Sequence, residues 1–114
     1  MSRLLGIHEV QLVDGADAVE FERLFTEAAA QTVLDGWKTR LLRGDRGERT
    51  GKYAMLYEIE SPEARDRYFP AMDQMSEEAE RYRAEPPAVA ELWQRLDAYQ
   101  TGNEVTTDYL VVVE

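Results

Sequence analysis

Apolar positions recur along the chain with two periods, and the changes between them predict its elements. From Leu4 to Val13 (LLGIHEVQLV), Gly6, His8, Val10 and Leu12 alternate with Ile7, Glu9, Gln11 and Val13, the two-residue period of a strand. Asp14-Gly15 ends that strand, since both residues favour turns. Asp17 then stands as an N-cap with Glu20 three positions on, an acidic capping box. Phe21, Leu24, Phe25, Ala28 and Thr32 follow at helical spacing and predict one buried stripe.

Trp37 to Arg43 reads as a second strand and Lys52 to Glu60 as a third, with Tyr53, Met55, Tyr57 and Ile59 on one face. Between them Gly44 to Gly51 (GDRGERTG) holds three glycines and reads as a hairpin loop. Ser61-Pro62-Glu63 starts a helix, with Ser as cap and Pro at the first helical position. Pro70 interrupts it, and Met72 to Glu85 is helical in part, with Ser76 as a new cap. Pro86-Pro87 breaks the chain again. Val89, Leu92, Trp93, Leu96 and Tyr99 then form a second helical stripe. A loop, TGNEVTT, leads to a β-branched last strand from Asp108 to Val113.

The order β-α-β-β-α-β predicts an α+β, ferredoxin-like domain spanning residues 1–114. It has a four-stranded antiparallel sheet with helices on one face. The other sheet face also carries apolar residues, and a second copy of the chain is the expected cover. At 114 residues the chain can bury a core without staples. It has no cysteine, which excludes disulfides, thiolate metal sites and a Cys nucleophile. No apolar run reaches the ~18 residues of a membrane span, and MSRLLG has no signal-peptide core, so the expectation is a cytoplasmic protein. The formal net charge of −10 disfavours nucleic acid and anionic membranes as partners.

The order of elements, and the segment GKYAMLYEIESPEARDRYF (Gly51 to Phe69) running from strand into helix, resemble the dimeric α/β-barrel superfamily. That group includes cofactor-free antibiotic-biosynthesis-type monooxygenases, haem-degrading monooxygenases, muconolactone isomerases and stress-responsive A/B-barrel proteins. LLRGDRGE and RDRYFP are similar to an uncharacterised bacterial group within it. The resemblance implies a homodimer through the open sheet faces and a pocket between sheet and helices in each subunit. It places His8, Tyr53, Met55, Tyr57 and Trp93 along that pocket. It implies cofactor-independent oxygenase-like or isomerase-like chemistry on a hydrophobic or aromatic compound, or else a non-catalytic binding or stress-related dimeric scaffold. Haem-degrading members use a helical histidine as iron ligand, and His8 is the only histidine here.

His8 is the candidate catalytic residue, as a general base at neutral pH or a ligand anchor. The alternative is a core histidine bonded to a carbonyl or a tyrosine hydroxyl. No HxH or HExxH spacing supports a metal site. Tyr53 and Tyr57 are candidate hydrogen-bond donors to ligand, or strand tyrosines sending their hydroxyls to water. Trp37, Met55, Tyr68, Phe69, Met72, Met75 and Trp93 offer an aromatic and thioether lining suited to a flat apolar molecule. Lys38 to Lys52 carries six positive and two negative charges, an anion-binding hairpin, a solvated one, or one that docks on the acidic helices of a second copy. SEEAERYRAE (Ser76 to Glu85) reads as a solvated helical face, or as a lid over the pocket.

Overall fold

A computed structural model describes residues 3–102 and 105–114. Strands β1 (Leu4–Glu9), β2 (Trp37–Arg43), β3 (Tyr53–Ile59) and β4 (Val105–Leu110) form one antiparallel sheet in the order β2-β3-β1-β4. Helices α1 (Ala18–Gln31), α2 (Pro62–Tyr68), α3 (Glu77–Ala84) and α4 (Pro87–Ala98) complete the ferredoxin-like α+β fold. No helix among the described residues is long and apolar enough to cross a membrane.

Alternation and cross-strand register assign the faces of the sheet. Leu4, Gly6 and His8 of β1 share the helix side with Tyr53, Met55, Tyr57 and Ile59 of β3, and with Thr106 and Asp108 of β4. Leu5, Ile7, Ala54, Leu56, Val105 and Tyr109 lie on the opposite side, which no helix among the described residues covers.

The predicted helix starts are present. The Asp17 carboxylate accepts the backbone N–H of Val19 at 3.1 Å and Glu20 at 3.2 Å. Ser61 and Ser76 cap α2 and α3 by accepting from Ala64 and Ala79. The Glu20 side chain does not close the expected capping box. It bonds instead to Arg23 Nε at 2.9 Å and Arg95 Nη2 at 3.2 Å, ionic partners on the exposed helix surface. Phe21, Leu24, Phe25 and Ala28 are buried as the stripe predicts, and Thr32 is the C-cap.

The first and last strands of the chain differ from the sequence expectation in length or position. β1 ends at Glu9, paired with Ala54, and its contact with β3 finishes one residue later with Val10 N–H to Tyr53 O at 2.9 Å. Beyond it the chain bonds to the segment after α4, through Val13 N–H to Tyr99 O at 2.9 Å and Thr101 N–H to Gln11 O at 3.0 Å. β4 runs from Val105 to Leu110, three positions earlier than its valine run suggests. Its partner β1 spans Leu4 to Glu9, and Leu110 already pairs with Leu4. Val112 and Val113 lie past the end of the ladder, exposed. Asn103 and Glu104 of the predicted loop lie outside the described residues.

The hairpin between β2 and β3 closes as expected. At Gly44 a Cβ would lie 2.0 Å from the Arg49 carbonyl oxygen, so only glycine fits that close approach. Part of the hairpin's positive charge is used internally. Arg49 Nη2 donates to Tyr53 O at 2.8 Å and its Nε sits 3.3 Å from Glu9, while Arg43 pairs with Glu22 at 3.5 Å.

Candidate functional site

The long helices α1 and α4 pack on each other and seal one end of the sheet with Phe21, Leu24, Phe25, Leu96 and Val10. At the other end the helical cover is the short pair α2 and α3, seven and eight residues long. A cavity of about 670 Å³ remains there between helices and sheet. His8, Met55, Tyr57, Thr106 and Asp108 come to it from the strands. Trp37, Phe69, Met72 and Trp93 supply apolar wall, and Arg65 and Arg83 add charge.

His8 sits mid-strand on β1, paired in register with Met55 on one side and Thr106 on the other. The residue is half-buried and its Nε2 is closed off from solvent. Tyr57, one alternation along on β3, directs its hydroxyl to Met55 Sδ at 3.3 Å. Burial pushes the Tyr57 phenol up to about 12, with the Arg83 charge acting in the opposite direction. Tyr57 therefore stays a neutral donor at ordinary pH. The Trp37 ring meets its edge at 5.7 Å between centroids.

Trp93 is held by its indole N–H, which donates to Thr32 Oγ1 at 3.0 Å. Over its ring lies the guanidinium of Arg83, with Cζ 4.4 Å from the centroid. Arg65 is engaged by Asp66 at 3.0 Å and Asp108 at 3.3 Å.

The structure brings His8, Met55, Tyr57 and Trp93 to one cavity and leaves Tyr53 outside its lining. The Tyr53 ring packs on Phe21 at 5.3 Å, and its hydroxyl donates to the Glu22 carboxylate. Burial, then the Glu22 acceptor, raise its pKa. Four residues along β3 carry Tyr53 from the cavity into the sealed core. Tyr68 and Met75 also stand behind the wall. Tyr68 is fully buried and its hydroxyl accepts the Asp35 N–H at 3.1 Å.

Arg83 and Asp108 reach the cavity without having been singled out in the sequence. Arg83 lies four positions after Ala79, the buried residue of α3, and so shares its inward face. That spacing was the available signal. Asp108 faces inward because it pairs with Gly6 across the β1–β4 ladder, a matter of register. Among the described residues no group of three or more His, Asp or Glu is placed to hold a metal ion.

No protein-family model and no curated protein matches the chain. Solved structures do. SnoaB, a cofactor-independent oxygenase from Streptomyces nogalater, matches 98% of this chain and 95% of its own at 16% identity, with a TM-score of 0.61. A DABB family protein with a ferredoxin-like fold from Mesorhizobium loti matches 99% and 100% at 15% identity and TM-score 0.58. MhuD, a haem-degrader from Mycobacterium tuberculosis with two haems bound in its active site, matches 97% and 97% at 19% identity and TM-score 0.57. At such identities the shared property is the fold. It is the ferredoxin-like α+β fold.

Proposed function

We propose that this chain is a cofactor-independent small-molecule enzyme, oxygenase-like or isomerase-like, acting on a hydrophobic or aromatic compound held between sheet and helices. The observation that carries the reading is the cavity of about 670 Å³ with His8 and Tyr57 both on its lining. That volume falls in the range of small-molecule sites, and Trp37, Phe69, Trp93, Met55 and Met72 give it aromatic and thioether wall. The likeness in fold to SnoaB, described as a cofactor-independent oxygenase, supports the same direction. In this reading His8 accepts a proton from an acidic C–H or O–H of the substrate, or anchors its polar end. Tyr57 donates a hydrogen bond to the oxygen on which negative charge develops. Met55 and Trp93 hold the apolar body. An isomerase returns the proton to another carbon, whereas an oxygenase presents the carbanion to dioxygen.

The test is calorimetric binding of hydroxynaphthalenes and naphthoquinones, with oxygen uptake and product analysis, for wild type and His8→Ala. Binding with turnover that falls at least tenfold in His8→Ala supports the enzyme, with His8 as its base. Binding without any turnover favours the non-catalytic binding module instead. We also propose that a second copy of the chain covers the open sheet face, where Leu5, Ile7 and Leu56 lie together. A monomeric sedimentation coefficient at micromolar concentration would remove that part.

A further inference from the structure

The cavity holds one cation whose hydrogen-bonding capacity the protein leaves largely unused. A guanidinium has five N–H donors in a planar fork. In Arg83, Nη1 meets only the Met75 thioether, at 3.7 Å, which is a weak acceptor. Nη2 stands 3.9 Å from Asp97 Oδ2, beyond hydrogen-bond reach. Nε is buried and has no acceptor among the described residues. The contrast with Arg67 is direct, because Arg67 makes bonds of 3.0 and 2.8 Å to one Glu78 carboxylate.

Arg83 is nonetheless held in place. It lies over the Trp93 ring, and Trp93 is itself anchored to Thr32. Among the described charges around the cavity, Asp97 alone pairs with it, as a loose ion pair at 3.9 Å. Arg65 and Asp108 pair with each other, and the carboxylates of Asp66 and Asp97 are more than half exposed. Asp73 is also exposed. Nε is already out of water, and a neutral apolar ligand would also strip water from the Nη donors and offer them no acceptor, which is unfavourable. A ligand with an anionic oxygen would supply the acceptor and gain a charge-assisted bond.

We propose that the cavity selects flat apolar compounds carrying an anionic oxygen (a carboxylate, phenolate or enolate) and that Arg83 binds that oxygen. The inference rests on the cavity being a ligand site, as proposed above, and adds the class of compound it takes. Arg83 sets ligand charge while Trp37, Phe69 and Trp93 enclose the rings. The Tyr57 hydroxyl belongs to the same cavity lining and feels the Arg83 charge.

Isothermal calorimetry with three probes of equal shape tests this: 2-naphthoate, 2-naphthamide and 2-naphthylmethylammonium. Wild type is expected to bind naphthoate about tenfold or more tighter than naphthamide, with the preference shrinking at high salt. Arg83→Met should bring naphthoate down to the naphthamide level while naphthamide changes by less than about twofold. Arg83→Lys should retain part of the preference. Equal wild-type affinities, a preference for the ammonium probe, or a naphthoate preference surviving in Arg83→Met would each overturn the assignment. The first two need no variant, so misfolding of a mutant cannot mask them. Failure of all three probes to bind wild type would retire the ligand-site reading itself, and this inference with it.

Discussion

Tyr53 and Tyr57 stand four residues apart on the same strand and the same face, yet the fold treats them as different materials. At Tyr53 the two long helices meet above the sheet. The ring is pressed onto Phe21, and the hydroxyl is given a carboxylate. At Tyr57 the cover consists of two short helices. The ring edges a cavity, and the hydroxyl is given only a thioether at 3.3 Å. One end of the sheet has been finished as core, whereas the other keeps donors and space for something not of the chain. Protein interiors are close-packed, so a volume of about 670 Å³ beside a dense cluster marks a division of labour.

The largest effect that tests this division is expected at the sealed end. Leu24 is fully buried in the α1–α4–sheet cluster, where neighbours on every side prevent collapse. Leu24→Ala should cost about 3 to 4 kcal/mol in urea unfolding. That is a large share of the roughly 5–15 kcal/mol that holds a domain of this size together. Met72 lines the cavity and is 57% exposed. Met72→Ala should change stability by less than about 0.5 kcal/mol. Similar costs at the two positions would mean that the open end is core as well.

The paired substitutions Tyr53→Phe and Tyr57→Phe give the next, smaller contrast. Losing the Tyr53 hydroxyl removes a hydrogen bond to a carboxylate and should cost about 1 to 2 kcal/mol. Losing the Tyr57 hydroxyl removes a bond to sulfur only, and its cost should stay below about 0.5 kcal/mol while ligand binding weakens. Alkaline pH separates the two states of Tyr57 further. Its folded pKa is raised to about 12 by burial, against an ordinary value of 10.0. Between those values the unfolded chain releases a proton that the folded chain keeps. The stabilising contribution is therefore complete below pH 10 and is lost toward pH 12. Tyr57→Phe should flatten that part of the stability curve. An unchanged slope would show that the phenol is hydrated, and the cavity open to water around it.

Much of this division is legible in the sequence, because periodicity reports which faces are buried. The stripes of α1 and α4, the capping serines of α2 and α3, and the inward set on β3 all follow from spacing. The boundary between core and cavity does not, since Tyr53 and Tyr57 share every local signal and differ only in which helix arrives above them. Register was equally hidden. A run of valines from Val111 to Val113 suggests a strand, but only Val111 still bonds on the first strand's side, through its N–H to Arg3 O at 2.9 Å, and Val112 and Val113 are exposed. Arg83 shows the limit of reading charge as solvent exposure, since its position after Ala79 points inward and its stem is long enough to lie over Trp93.

The smallest expected effect on binding is at Gly6, where β1 passes between Tyr57 and Asp108. A methyl group at position 6 would lie 3.0 Å from Asp108 Oδ1 and 3.5 Å from Tyr57 Cβ. The absence of a side chain there lets the carboxylate that engages Arg65 sit over β1, opposite Tyr57. In Gly6→Ala the Asp108 carboxylate is the flexible neighbour and would rotate away by a few tenths of an ångström. The lost contact is offset in part by the reduced freedom of the unfolded chain, worth about 0.4–1 kcal/mol. Net stability should thus move by less than about 1 kcal/mol in either direction. Any displacement of Asp108 loosens Arg65, leaving a second cation with spare donors in the cavity. Naphthoate binding should then rise modestly, while naphthamide binding stays level. A loss of both, measured by the same calorimetry, would mean that the floor under the site is packed too tightly for the carboxylate to yield.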